Sequence, residues 1–63
     1  MKLGRKIRDI RVSKNMTQKK LAESAGISNT YLSDIERMRT SPSIKTLENI
    51  ANSLGKNIKE FLD

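Results

Sequence analysis

Sixty-three residues allow one domain, read as 1–63, with a core so modest that the fold is only marginally stable alone. Neither Cys nor His occurs, which excludes a disulfide framework and thiolate or imidazole metal ligands, and no carboxylate loop has calcium-binding spacing; no metal, cofactor or small-molecule substrate is expected. No apolar run is long enough to span a membrane and no signal-peptide block opens the chain, so a cytoplasmic protein with no membrane partner is expected, and the net charge of +6 suggests a polyanion as partner.

That charge is uneven. The first twenty residues carry Lys2, Arg5, Lys6, Arg8, Arg11, Lys14, Lys19 and Lys20 against Asp9 alone, while the remainder is close to neutral. A basic end fits a nucleic acid, although small domains also carry Lys and Arg merely for solubility.

The chain reads as short helices separated by punctuation, with no strand-like alternation and no linker. The first helix is predicted over about 2–14, where Leu3, Ile7 and Ile10 form one apolar stripe. Arg11, four residues after Ile7, falls on the same side and must find a partner or reach out to water. The second helix is predicted over about 18–25. Thr17 is its cap, Met16 and Leu21 are spaced as a hydrophobic staple, and Gly26 is its stop because glycine enters the left-handed region without penalty.

The third helix, about 29–37, repeats the device: Ser28 caps, Ile27 and Leu32 staple, Leu32 and Ile35 face inward, and Glu36 edges the core. Either Ser43, or Ser41 with Pro42 in the first turn, caps a fourth helix of about 43–53 with Ile44, Leu47, Ile50, Ala51 and Leu54 along its stripe and Gly55 at its end. Asn57 and Glu60 are spaced as a capping box for a short last helix containing Ile58, Phe61 and Leu62.

Two short helices joined by a three-residue turn containing glycine have the spacing of a helix-turn-helix, here about 17–37. That arrangement accounts for the opening "SNT" of the third helix. Asn29 and Thr30 are poor helix formers, but their short donors and acceptors suit base edges if the helix lies in the major groove of DNA. An ordinary capped helix start is the plainer explanation.

The pieces "IRDIR", "TQKKLA", "GIS", "YLSDIE" and "PSIKTLENIANSL" occur in order, and together the chain from residue 3 to about 62 resembles the Cro/CI-type (XRE-like, lambda-repressor-like) helix-turn-helix family. The resemblance implies an all-α fold of five short helices. It further implies a double-stranded DNA partner and a transcriptional regulator, a repressor above all, acting as a homodimer on a pseudo-palindromic operator. It assigns base reading to Asn29, Thr30 and Asp34, with Ser28 and Ser33 beside them. Asn suits adenine, and Asp either accepts from cytosine or repels phosphate to limit non-specific binding. It places Gln18 on a phosphate, with a second use in bracing Asn29. Lys19, Arg37, Arg39 and Thr40 lie where the family approaches the DNA backbone, and Tyr31 either touches phosphate or edges the core.

Arg11 and Glu36 match a buried structural ion pair. Lys2, Arg5, Lys6 and Arg8 are left as general electrostatics, and Phe61 and Leu62 as either a dimer surface or the closure of the core. One position departs from the family: Met38 stands where glycine usually ends the third helix, so Met38 either takes a left-handed conformation or the helix ends differently. The competing reading is a protein-interaction module, antitoxin-like, on the same scaffold.

Overall fold

The computed structural model describes residues 3–62; Lys2, included above in the first helix and the basic end, lies outside them. Four α-helices follow in order: α1 (Leu3–Ser13), α2 (Gln18–Ala25), α3 (Asn29–Glu36) and α4 (Ile44–Ser53). The fifth element differs from expectation. It is a single 3-10 turn, Ile58–Phe61, rather than an α-helix. Its bonds run three residues back, Glu60 N–H to the Asn57 carbonyl and Leu62 N–H to the Lys59 carbonyl, and the capping box of Asn57 and Glu60 closes around that one turn. The tighter winding lets Phe61 drop into the core.

The starts of α2, α3 and α4 are fixed by the caps read from the sequence. Thr17, Ser28 and Ser43 each accept the backbone N–H three residues on, at 3.0–3.1 Å, so the choice between Ser41 and Ser43 falls to Ser43.

The four α-helices share one ending. In each, the residue after the turn reaches back five places: Met16 N–H to Arg11, Ile27 to Ala22, Arg39 to Asp34, and Lys56 to Ala51. The residue just before it is left-handed: Asn15 (φ 58°), Gly26 (74°), Met38 (61°) and Gly55 (68°). This closure satisfies carbonyls that the helix end would otherwise leave open. Glycine takes it freely and asparagine tolerably, while a side chain such as that of methionine carries a cost of about 1–2 kcal/mol.

The elements close a ring around one core. α1 packs on α3, α3 on α2, α2 on α4, α4 on the 3-10 turn, and that turn back on α1. Ile7, Leu21, Leu32, Ile35, Leu47, Ile50, Leu54 and Phe61 are fully buried at its centre, each contributing about 1.5–3 kcal/mol before chain entropy is offset. Two expectations are corrected here. Ile44, placed on the buried stripe, is 63% exposed, because it occupies the first position of α4, where the stripe overruns the packed region. Phe61, offered as a dimer surface, is sealed in the core, and only Leu62 beside it is exposed.

A close joint lies between α1 and the end of α3. Gly4 is buried there, and a Cβ on it would stand 2.1 Å from the Ile35 carbonyl oxygen and 3.0 Å from that of Glu36. Met38 reaches into the same joint, its Sδ accepting the Gly4 N–H at 3.1 Å.

Two substitutions probe this joint. Gly4→Ala should destabilise by about 1–3 kcal/mol or more, since backbone rather than a flexible side chain must yield. Met38→Gly should relieve the left-handed strain and, after losing the sulfur contact, be neutral or stabilising. Urea melts of the two variants check both; a clear loss of stability in Met38→Gly would show that its side-chain contact outweighs its backbone strain.

Candidate nucleic-acid interface

The short turn Gly26–Ile27–Ser28 reverses the chain between α2 and α3, with Ala25, Leu32 and Ile35 packed beneath it. With the buried face of α3 fixed by Leu32, Ile35 and Glu36, the other face must point outward. It presents Asn29 and Thr30 exposed, Ser33 and Asp34 half-buried, and Arg37 exposed at its end. Thr30, Ser33, Asp34 and Arg37 recur at three- and four-residue spacing, so they form one row along the helix. Ser28 stands at the head of that row, its oxygen already holding the Tyr31 N–H while its own hydroxyl hydrogen remains free to donate.

The other residues assigned from the sequence fall around this row. Lys19 is exposed on the first turn of α2, and Arg39 and Thr40 are exposed on the connection to α4. Arg39 also approaches Asp34, Nη1 to Oδ1 at 3.9 Å, with Arg39 largely and Asp34 partly open to water, a pair worth little to stability. Tyr31 is half-buried with its ring against the core, which favours the core-edge alternative for its bulk.

The bracing contact of Gln18 goes to a different partner from the one expected. Its amide Nε2 donates to Glu36 Oε1 at 3.1 Å, so it braces the ion pair and not Asn29. The physical reason is proximity: a buried carboxylate with a free lone pair is the strongest acceptor within reach.

Beneath the row lies the group that sets its orientation. Arg11 and Glu36 are only 9% and 6% exposed. Arg11 Nε donates to Glu36 Oε2 at 2.7 Å and Nη2 to Oε1 at 3.1 Å, a bidentate pair. Arg11 Nη1 donates to the Met16 carbonyl at 2.7 Å. One guanidinium thus ties α1 to α3 and to the chain leading into α2, and Gln18 adds the start of α2 to the same carboxylate. Among the described residues no buried side-chain polar atom lacks a partner.

One feature was missed in the sequence. Arg5 and Arg8, whose sequence positions suggest only general electrostatics, line with Glu36, Arg37 and Met38 an open cleft of about 470 Å³ where α1 meets the end of α3. The arginine spacing of three residues on α1 was visible; the close approach that Gly4 permits, which brings them to Arg37, was not.

The helix-turn-helix family profile matches residues 7–61. The immunity repressor protein of Bacillus phage phi105 is 49% identical over 62 residues, 98% of this chain and 43% of that protein. Control protein C.BamHI of Bacillus amyloliquefaciens is 46% identical over 61 residues, 95% of this chain and 75% of that protein. Among solved structures, SinR, a master regulator for biofilm formation, crystallised in complex with DNA, superposes with a TM-score of 0.91 at 37% identity, covering 97% of this chain and 98% of that one. The chain spans about half the length of most of the curated relatives it matches.

Removing one partner of the buried pair tests its role. Glu36→Ala should cost about 3 kcal/mol or more, because it strands a buried guanidinium, and a denaturant titration reads the loss directly. Over this ring of helices, with that pair at its base and the outward polar row above it, the chain belongs to the XRE-type helix-turn-helix family.

Proposed function

We propose that this domain binds duplex DNA sequence-specifically and regulates transcription, acting as a repressor and as a homodimer on a pseudo-palindromic operator in the cytoplasm. The observation that carries the reading is the polar row on α3, from Ser28 to Arg37, held outward on a helix whose inner face is locked in the core. Eight residues of helix fit the major groove with their first turn at the base edges. The basic first third of the chain supplies long-range attraction to the phosphates. The repressors and regulators among its relatives, and the DNA complex of SinR, support the same partner.

In this reading Ser28, Asn29, Thr30, Ser33 and Asp34 read bases. Lys19, Arg37, Arg39 and Thr40 hold phosphates, and Gln18 joins them through the second hydrogen of its amide. Tyr31 contributes through its hydroxyl while its ring stays on the core. The domain has no catalytic part to play. A protein-partner role on the same scaffold has one observation behind it, a SinR structure solved in complex with SinI protein, at 37% identity and a TM-score of 0.90.

Selection of bound duplexes from a random pool identifies the operator and separates the two roles; recovery of no preferred sequence would favour the protein-partner role. Given an operator, Asn29→Ala should weaken it by roughly 1–3 kcal/mol while leaving scrambled duplex nearly unaffected. Lys19→Ala should weaken both alike and lower the slope of log K against log salt by about 1. Titrations of each variant at several salt concentrations check the split between reading and holding. Equal weakening of both duplexes by Asn29→Ala would remove Asn29 from the reading positions.

A further inference from the structure

Arg5 and Arg8 on α1 and Arg37, the residue that follows α3, line one cleft. Among the described residues none of the three has a carboxylate within 4.0 Å; the ion pairs present are Arg11 with Glu36 and Arg39 with Asp34. Three like charges brought together without a counter-ion oppose folding. Arg5 adds to this, since it sits in the first turn of α1, where the helix dipole disfavours a cation and no acidic residue is present. Glu36 lines the same cleft, but both its oxygens are occupied, Oε2 by Arg11 and Oε1 by Arg11 and Gln18, so its charge is already balanced. The Gly4 N–H is likewise taken, by Met38 Sδ. The walls of the cleft are mostly apolar, Met38 among them, and the charged groups it leaves without a partner among the described residues are the three guanidiniums; its open shape suits an extended anion better than an enclosed one.

We propose that Arg5, Arg8 and Arg37 form a phosphodiester clamp that grips the DNA backbone beyond the C-terminal end of α3. The inference rests on the DNA-binding reading above. Guanidinium groups match phosphate oxygens two at a time, so three of them hold one or two adjacent phosphates in a fixed register. Arg37 decides between DNA and a separate acidic partner. It ends the outward row of α3 and also lines the cleft, so the two surfaces are continuous and a backbone leaving the groove at that end passes into it. Arg5 and Arg8 are thereby positioning residues for recognition, not diffuse charge.

The test uses duplexes selected from a random pool by the unsubstituted protein, and compares Arg5→Ala/Arg8→Ala with a charge-matched control, Lys56→Ala/Lys59→Ala, neither of whose positions lines the cleft. The arginine double variant is expected to bind the selected duplex at least tenfold more weakly near 0.1 M salt and to lower the salt slope by about 2, with sequence preference retained. Its thermal midpoint without DNA should be unchanged or higher, which excludes misfolding as the cause. Phosphate-ethylation interference should lose one cluster of sensitive phosphates in the arginine variant alone. Losses no larger than the control's, or an intact interference pattern, would overturn the clamp while leaving the DNA reading standing. If the unsubstituted protein selects no duplex, that reading fails and the clamp with it.

Discussion

The Arg11–Glu36 pair is the constraint on which the rest of the structure hangs. A chain of this size has few large apolar residues with which to fix the angles between four short helices, and apolar burial is not directional. A bidentate ion pair is directional. Arg11 spends Nε and Nη2 on Glu36 and Nη1 on the Met16 carbonyl, and Gln18 fills Glu36 from α2, so one connected group fixes α1, α2 and α3 relative to one another. Each nitrogen of the Arg11 side chain and both oxygens of the Glu36 carboxylate are hydrogen-bonded, which offsets the desolvation cost of a buried charge pair. The helix that presents Asn29 and Thr30 is thus anchored by charge at its last residue and by Leu32 and Ile35 along its inner face.

The same joint explains why α3 ends as it does. The helix must stop directly after Glu36 for α1 to approach, and the stop is a left-handed residue. Glycine would serve, but methionine does a second thing: its sulfur accepts the Gly4 N–H, one of the unpaired donors at the start of α1. The missing side chain of Gly4 and the long one of Met38 are complementary, the first leaving room that the second partly fills. The strain at Met38 is therefore set against a contact that only a side chain can make, and the departure from the family's glycine is accommodated locally, with the helix closure itself unchanged.

Much of this was legible in the residues. Caps at Thr17, Ser28 and Ser43, stops at Gly26 and Gly55, and the inward position of Arg11 and Glu36 all follow from rules that act within one or two turns of chain. The failures share a cause. Ile44 has the right spacing for burial, but spacing cannot tell where the neighbouring element ends. Phe61 reads equally as core or contact surface until the ring of helices is closed. Asn15 is not legible as a helix stop because asparagine signals the left-handed region more weakly than glycine. In the site, the identity of the outward row on α3 was readable. The hydrogen bond from Gln18 to Glu36 and the meeting of Arg5 and Arg8 with Arg37 were not, because both depend on packing between helices distant in sequence.

The division of labour between faces has a consequence for the molecule as a recognition device. Asn29 and Thr30 are exposed and make no side-chain hydrogen bond within the described residues, whereas Leu32, Ile35 and Glu36 on the same eight-residue helix are buried. Surface substitutions of that first kind usually change stability by no more than about 0.5 kcal/mol, while those of the second kind cost several times as much. The outward row can therefore change its chemistry almost independently of the fold, provided Ser28 keeps the cap and Glu36 keeps Arg11. Arg37 is the exception to this independence: it follows immediately on Glu36, its N–H still bonds the Ser33 carbonyl, and it both ends the outward row and lines the cleft. The position of its backbone is thus inherited from the buried pair, and any change that loosened Arg11 from Glu36 would disturb the outward face first at Arg37 and last at Asn29, a full two turns away.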